Sequence, residues 1–509
     1  MTKALFCIFT FMTTVISAQT PGLLDNTFDT DGKVSTAISG YADYARAVVV
    51  EPNGKIVVAG HSNNGTDVDF ALARYNPNGS LDNTFGTGGK VSTDIDTSDD
   101  LAFAVALQTD GKIIAAGSTG AQGTPAYFAL VRYNTDGTLD NSFGTGGKVT
   151  TAFGTDAEIA ALAIQTDGKI VVAGYSWITS VQNIALVRYN TNGTLDNTFG
   201  TGGKVNVLIG GAGVVAKSIA LQADGKIVVA GHTGGEFAVA RFNTDGSLDN
   251  GFNTGGTVTT TFGSGACGAN AIAIQADGKI VVAGYSAIAV NDIDFAIARY
   301  NTDGTLDNSF SSDGKVITAF TSNYDEAYAV ILQPDGKIIA VGSSDNGTNA
   351  DFTMARYNAD GSLDNAFGSS GKVITRFGLR YDEAFAAAMQ PDGKIVLAGV
   401  TDNGPTSTDY DFAIARYFSG VNVSIEESAP GDNLLHLYPN PATSQLNIEI
   451  DGAQIGAQLN IYDVTGSLLQ TGELDIHNSQ FYISDLPAGV YIAEMKTKDT
   501  SIKHRWVKL

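Results

Sequence analysis

Short runs in which apolar and polar residues alternate, separated by turn residues, fill most of the chain. In the first complete stretch the runs are Ala45–Glu51, Lys55–His61, Phe70–Asn76 and Gly89–Thr93. Alternation with a period of two is typical of half-buried strands, and it places Ala45, Ala47 and Val49 on one face. The turn Pro77-Asn78-Gly79 supplies the positive φ that a tight hairpin needs. The pattern therefore predicts antiparallel four-stranded meanders.

This four-run pattern occurs seven times. The lysine of a Gly-Lys-Ile motif recurs at spacings of 57, 57, 57, 53, 58 and 57 residues, at Lys55, Lys112, Lys169, Lys226, Lys279, Lys337 and Lys394. A Leu-Asp motif and an arginine before an aromatic residue recur with it, at Asp25, Asp82, Asp140, Asp196, Asp249, Asp307 and Asp364 and at Arg74, Arg132, Arg188, Arg241, Arg299, Arg356 and Arg416. Four strands per repeat suit a propeller blade better than one coil of a β-solenoid. We predict an all-β fold, a seven-bladed β-propeller.

The order of the strands predicts how the ring closes. Residues 24–36 carry Leu-Asp-Asn-Thr-Phe and Gly-Lys-Val, which form the fourth strand in the other repeats. The last repeat ends after its third strand, at Tyr417. We therefore expect the N-terminal strand to complete the seventh blade and to remove an exposed edge.

The repeat resembles a known family. The run Asp110-Gly-Lys-Ile-Ile-Ala-Ala-Gly117, the strand Phe128–Asn134 and the motif Leu139-Asp-Asn-Ser-Phe143 are similar to the delta-60 family of bacterial β-propeller repeats. The resemblance covers residues 24–418. It implies the propeller fold and no common activity.

A second module follows a polar linker at residues 419–433. Residues 434–509 predict a small C-terminal β-sandwich, with strands at Leu446–Ile450, Leu459–Val464, Phe481–Ile483 and Val490–Lys496. The run Tyr438-Pro-Asn-Pro-Ala442, the turn Leu486-Pro-Ala-Gly-Val-Tyr491 and the basic end Lys503–Leu509 resemble the type A C-terminal sorting domain of type IX secretion. The resemblance implies that the type IX secretion machinery is a partner and that the propeller is released or held at the cell surface. An accessory binding sandwich is the alternative.

The N-terminus has the layout of a secretory signal peptide. Residues 1–18 contain Lys3, the apolar run Ala4–Ile16 and the small pair Ser17-Ala18, and we place cleavage before Gln19. A buried first helix is the alternative. The predicted domains are then a signal peptide at 1–18, the propeller at 19–418, the linker and the sorting sandwich. Cys7 leaves with the leader, so Cys267 has no disulfide partner, and no other stretch is long enough to span a membrane.

Composition and charge narrow the classes of partner. Charged residues are 16% of the chain and the formal net charge is -23, which argues against long amphipathic helices, nucleic acid and anionic membranes. Most basic residues belong to the repeated motifs, so positive charge serves the scaffold. We expect a monomer.

Several motifs that suggest chemistry have simpler explanations. In Gly86-Thr-Gly-Gly-Lys90 a valine follows the lysine, and a strand follows in place of the helix of a phosphate-binding loop. Asn134, Asp136 and Asp140 fit local Asx turns better than a calcium loop. We predict that Arg74, Asp82 and their repeats form a structural ladder. His61 and His232 lie on distant blades and do not share a metal. No catalytic residue and no cofactor is predicted, the question of a metal stays open, and an enzyme is the alternative.

The repeats differ most in the loops of one face, where functional residues tend to lie. Blades six, seven, one, two and three carry acids beside their first strands, and aromatic residues lie in the same loops. The candidate ligand-binding or cation-binding residues are Asp43, Asp100, Glu158, Asp325, Glu326, Asp382 and Glu383 with Tyr44, Tyr324, Tyr381 and Trp177, and Tyr41 and Tyr127 belong to the same loop class.

These residues lead to one function and one alternative. We expect a secreted or cell-surface, non-catalytic propeller that binds a polymer, glycan or protein through this face, with weak calcium binding shared between blades. A secreted hydrolase or lyase that uses the same acids is the alternative. The acids could equally be solvated turns of an acidic protein.

Overall fold

The computed structural model describes residues 20–421 except 121–125, 179, 210–212, 379 and 403–408, together with residues 435–438, 445–450, 458–463, 468–473, 478–483, 486, 489–496 and 501–508. The predicted signal peptide and most of the predicted linker lie outside these residues. All regular elements within them are β-strands. None of the described residues forms a helix that is apolar and long enough to cross a bilayer.

Seven four-stranded antiparallel sheets form the blades. Blade 1 contains β2 (Asp43–Val50), β3 (Ile56–Asn63), β4 (Val68–Tyr75) and β5 (Lys90–Thr93). Blade 2 contains β6 (Asp100–Leu107), β7 (Ile113–Thr119), β8 (Tyr127–Tyr133) and β9 (Lys148–Thr151). Blade 3 contains β10 (Ala157–Ile164), β11 (Ile170–Ile178), β12 (Val181–Tyr189) and β13 (Lys204–Val207). Blade 4 contains β14 (Val214–Leu221), β15 (Ile227–Thr233), β16 (Glu236–Phe242) and β17 (Thr257–Thr260). Blade 5 contains β18 (Cys267–Ile274), β19 (Ile280–Ala289), β20 (Asp292–Tyr300) and β21 (Lys315–Thr318). Blade 6 is β22 (Asp325–Leu332), β23 (Ile338–Asp345), β24 (Ala350–Tyr357) and β25 (Lys372–Thr375).

Blade 7 is assembled from both ends of the repeat region. It contains β26 (Asp382–Met389), β27 (Ile395–Asp402) and β28 (Tyr410–Tyr417), and its outer strand is β1 (Lys33–Thr36). Lys33 pairs with Ala415 and Thr36 with Phe412 in antiparallel register. The N-terminal segment also buries Phe28 in an apolar cluster that contains residues of blades 1 and 7.

The first strands contact one another in sequence around a central axis, and β26 contacts β2. An apolar cluster fills each seam between neighbouring blades, so the core of the described propeller is divided among seven seams. Cys267 lies buried as a free thiol in one of them. This arrangement confirms the predicted all-β fold with seven four-stranded repeats.

The predicted ladder of arginine and aspartate is confirmed in every blade. In blade 3, Arg188 Nε lies 2.7 Å from Asp196 Oδ2, and Lys169 Nζ lies 3.1 Å from the same oxygen. Arg188 also donates to the main-chain oxygen of Thr244 in blade 4 at 2.5 Å. In blade 7 the arginine is Arg416, and its aspartate is Asp25 of the N-terminal segment, 2.7 Å away. The ladder therefore links strands within a blade and each blade to the next.

The ladder predicts a specific response to acid. Burial raises the pKa of Asp196, but the Thr198 hydrogen bonds and the Lys169 and Arg188 charges outweigh it and hold that pKa well below its ordinary value of about 4. A lowered folded-state pKa stabilises the fold above about pH 4, and this stabilisation is lost as pH falls. We expect Asp196→Asn to lower the melting temperature at pH 7, and the difference from wild type to shrink by pH 3. An equal difference at both values, measured by thermal melts, would contradict this.

Beyond residue 421 the described segments form two further sheets. One contains β29 (Leu435–Tyr438), β30 (Gln445–Ile450) and β33 (Asn478–Tyr482), and the other contains β31 (Gln458–Asp463), β32 (Leu468–Glu473), β34 (Gly489–Lys496) and β35 (Ser501–Lys508). Side chains of both sheets share one apolar cluster, which includes Leu446, Ile461 and Met495.

Candidate functional site

Every first strand carries a β-bulge at the same position. In blade 1, Ala45 pairs with Gly60 and Ala47 pairs with Ala59, so residue 46 is extra. A Cβ on Gly60 would stand 1.8 Å from the main-chain oxygen of Tyr44, so only glycine fits there. The other six blades have the same shift in strand register and a glycine at the same position. The repeated Ala-Gly or Val-Gly step of the second strand therefore accommodates the bulge.

The bulge residue and the residue two positions before it lie beside the central axis, and we call these side chains the axial residues. They are, from blade 1 to blade 7, Tyr44 and Arg46, Leu101 and Phe103, Glu158 and Ala160, Val215 and Lys217, Gly268 and Asn270, Glu326 and Tyr328, and Glu383 and Phe385. Members from different blades touch. The Arg46 guanidinium lies 4.2 Å from the Phe385 ring centroid, and the Tyr328 and Phe385 rings are 5.2 Å apart.

Three axial residues are carboxylic acids whose charge is disfavoured. Glu326 accepts hydrogen bonds from Asn270 Nδ2 at 2.9 Å and from the Tyr328 hydroxyl at 3.1 Å. Burial raises its pKa, and these bonds only partly offset the effect. Burial also raises the pKa of Glu158 and of Glu383. The charge of Lys217 partly offsets this effect at Glu158, and the charge of Arg46 partly offsets it at Glu383. These carboxyls can therefore exchange hydrogen bonds or protons with a ligand in the axis.

Arg46 is the cation at the centre of this group. Burial lowers the pKa of its guanidinium, and the nearby Glu383 carboxylate opposes that effect. Its Nε is buried and has no hydrogen-bond partner among the described residues. Next to it, burial together with the Arg46 charge lowers the pKa of His61 to about 3, so the imidazole that stacks 5.2 Å from the Tyr44 ring is neutral. Arg46 Nε is thus an unsatisfied donor at the centre of the axial residues.

The four predicted aspartates occupy a different position from the axial acids. Asp43, Asp100, Asp325 and Asp382 are fully buried beneath the loops between blades. Asp325 Oδ2 accepts the N–H groups of Phe320 and Thr321 at 2.6 and 2.9 Å, and its Oδ1 accepts the Thr321 hydroxyl at 3.0 Å.

Asp43 and Asp382 make equivalent bonds in their own blades. Burial raises the pKa of all three carboxyls, and the N–H donors partly offset it. We therefore revise the expectation that all the candidate acids face a ligand, because Asp43, Asp325 and Asp382 anchor loops while Glu158, Glu326 and Glu383 face the axis.

The predicted aromatic residues also fall into two groups, one exposed in the loops and one partly buried. Tyr324, Tyr381 and Tyr41, in the loops that lead into blades 6, 7 and 1, are 48%, 42% and 55% exposed. We call these three side chains the tyrosine rim. Tyr44 lies partly buried in the axis against His61 and Tyr410, and Trp177 is partly buried at the end of β11. The three rim residues therefore precede the first strands of three consecutive blades, on the same face of the propeller.

Sequence reasoning missed Arg46, Lys217, Asn270 and Tyr328. A signal for two of them was present, since Arg46 and Lys217 are the basic residues that stand in first strands and outside the repeated motifs. The bulge that directs these side chains to the axis was not visible in the alternation, so their common location was not apparent.

Comparison with known families fits this architecture. The model described as "Domain of unknown function (DUF5122) beta-propeller" matches residues 51–85, 108–143, 165–199, 222–252, 275–310, 333–367 and 390–420, one segment in each blade. The model of the secretion system C-terminal sorting domain matches residues 436–509. The chain carries seven DUF5122 β-propeller repeats and a type IX sorting domain. Both resemblances found in the sequence are confirmed. The sorting domain makes the type IX secretion machinery a partner and makes this DUF5122 propeller a secreted or surface-attached protein.

Solved structures similar to this DUF5122 propeller share little sequence with it. The virginiamycin B lyase of Staphylococcus aureus is 12% identical, with a TM-score of 0.46 over 75% of this chain and 98% of that chain. A streptogramin B lyase is 11% identical, with a TM-score of 0.44 over 76% and 97%. A PL25 ulvan lyase is 15% identical, with a TM-score of 0.44 over 74% and 95%. No curated protein matches the sequence.

Proposed function

We propose that this protein is an exported, non-catalytic binding propeller whose loop face takes a neutral glycan. The observation that carries the proposal is the tyrosine rim, three exposed rings from consecutive blades whose first strands also carry polar axial residues. Exposed rings offer flat apolar faces against which sugar rings can stack.

The axial residues supply the polar half of such a site. Glu326 and Glu383 can accept hydrogen bonds from sugar hydroxyls, and the guanidinium of Arg46 is a hydrogen-bond donor beside them. Ligand sites combine apolar or aromatic lining with a few polar groups in this way. The formal charge of -23 opposes the approach of polyanions, so a neutral glycan is favoured over a sulfated or uronic acid polymer.

A glycan array with the full secreted chain tests this function. We expect wild type to retain neutral oligosaccharides, and the triple variant Tyr41→Ser/Tyr324→Ser/Tyr381→Ser to lose at least about 90% of the signal, since each stacking contact is worth about 1 kcal/mol. The matched control is Ile317→Ser/Ile374→Ser, because these side chains are 40% and 49% exposed on outer strands.

The control should bind like wild type. Equal retention by the triple variant, or retention of no neutral glycan by wild type, would overturn the proposal. Retention of a protein or of an anionic polymer instead would replace the proposed ligand class.

One observation favours a second function, a hydrolase or lyase. The raised pKa values of Glu158, Glu326 and Glu383 are typical of groups that transfer protons. If the protein cleaves its glycan, Glu383→Gln should abolish the release of reducing ends while binding persists. Release of new ends by wild type and its loss in Glu383→Gln would establish the enzyme, and no release by wild type supports the binding function.

We also propose the remaining domain boundaries and the closure. Residues 1–18 act as a signal peptide, residues 19–418 form the propeller, residues 419–433 link it to the sorting domain, and residues 434–509 form a small sandwich. The pairing of β1 with β28 supports closure of the ring by the N-terminal strand. The apolar cluster shared by the two C-terminal sheets supports the sandwich.

A further inference from the structure

Three carboxylates meet at the seam between blades 1 and 2. Asp69 is in β4, Asp94 follows β5, and Asp100 begins β6, and oxygen atoms of all three lie within 4.8 Å of one another. Asp69 and Asp100 are buried and Asp94 is exposed. Like charges at this distance repel each other strongly when they are shielded from water.

Hydrogen bonds satisfy this group only in part, and Asp100 Oδ2 accepts the N–H of Ile95 at 2.5 Å. Asp69 Oδ2 accepts from Asn64 Nδ2 at 3.0 Å and from Ser92 Oγ at 3.2 Å. Asp69 Oδ1 is buried, in a residue only 7% exposed, and it has no hydrogen-bond partner among the described residues. The Lys148 ammonium reaches the main-chain oxygen of Asp94, at 2.5 Å. A buried carboxylate oxygen without a partner is costly, and a nearby cation would lower that cost.

The seam between blades 6 and 7 shows what such a cation does. Phe352 pairs with Thr375 there as Phe70 pairs with Thr93 in blade 1, so Asp351 and Arg376 correspond to Asp69 and Asp94. Arg376 Nε donates to Asp351 Oδ2 at 2.9 Å, while Asp351 Oδ1 has no hydrogen-bond partner among the described residues, so the arginine acts by neutralising the charge of the carboxylate. In one seam the chain therefore places its own cation beside the buried aspartate. In the other seam it places a third carboxylate at the position of that cation.

We propose that Asp69, Asp94 and Asp100 bind a calcium ion in the seam between blades 1 and 2. Calcium is a hard cation that prefers oxygen ligands and tolerates irregular geometry, with water completing its coordination. Three carboxylates provide the charge that a divalent ion requires. The ion takes the role that the Arg376 guanidinium has in the other seam, and it joins two blades on the loop face.

This site differs from the weak calcium site that the sequence analysis expected to be shared between blades. The oxygens of Asp325 and Asp382 are occupied by loop hydrogen bonds, whereas Asp69 Oδ1 is free of such bonds in the described structure. The proposal does not depend on glycan binding.

Thermal melts and calorimetric titrations of the EDTA-treated full chain test the site. We expect calcium chloride to raise the melting temperature by about 3 °C or more when it is in large excess over its dissociation constant. Asp94→Ala should weaken calcium binding at least about tenfold. Asp96→Ala, which removes another exposed acid of the same loop, should keep the calcium response.

Asp94→Arg provides a second and opposite test, because it copies Arg376. We expect this variant to melt higher than wild type without calcium and to ignore added calcium. Absence of a calcium response in wild type, or a full response in Asp94→Arg, would overturn the proposal. Magnesium chloride in place of calcium should give a smaller shift, and an equal shift would assign the site to divalent cations in general.

Discussion

A chain that begins at residue 38 is expected to be insoluble or to melt at least about 10 °C below the chain that begins at residue 20. The truncation removes β1, so β28 exposes an unpaired edge. It also removes the buried ring of Phe28 and leaves Arg416 without Asp25, and each loss costs about 3–5 kcal/mol. Proteins of this kind are stable by about 5–15 kcal/mol in total.

Leu23→Ser is the matched control for the truncation, since Leu23 lies in the same segment and is 54% exposed. It should melt within about 1 °C of wild type. Melting curves and sedimentation profiles of both proteins give the comparison. A truncated chain that is soluble and melts with wild type would show that the N-terminal strand does not complete blade 7.

Gly60→Ala is expected to destabilise the fold by about 3 kcal/mol or more. The new Cβ would stand 1.8 Å from the main-chain oxygen of Tyr44, so the bulge of blade 1 has to shift. The same shift displaces Arg46 and Tyr44 from the axis. We therefore expect glycan affinity to fall together with the denaturation midpoint in urea.

Gly40→Ala tests whether the effect is specific to the bulge. Gly40 lies in the loop before blade 1, and a Cβ there meets no atom within 4 Å. This variant should unfold at the same urea concentration as wild type, within about 0.5 kcal/mol. Equal destabilisation by both substitutions would mean that the close approach at Gly60 is not what requires glycine.

The sequence predicted the scaffold because its signals are repeated and local. The pair Arg188 and Asp196 recurs at a fixed separation in the first six blades, and the turn residues beside it define the hairpin. Recurrence of this kind is typical of residues that every blade needs. The same reasoning applies to Asp325 and Asp382, whose shared repeat position indicated a structural role that the sequence analysis did not assign.

The axial site was harder to predict because its residues differ from blade to blade. Arg46 and Lys217 occupy one repeat position, where the other blades have Phe, Ala, Asn or Tyr. Strict alternation also placed Ala45 and Ala47 on one face, whereas the bulge inserts residue 46 between their ladder pairs. A bulge depends on the backbone geometry of two strands, and the sequence of one strand does not reveal it.

Hydrogen–deuterium exchange of the full chain, with and without the neutral glycan that the array selects, tests the central claim most directly. If the loop face is the binding surface, amides in residues 38–42 and 319–324 should exchange at least about fivefold more slowly with glycan bound. The hairpin turns on the opposite face, at residues 51–54 and 76–80, should exchange as before. Protection of those turns, or of residues 435–508 alone, would contradict the account.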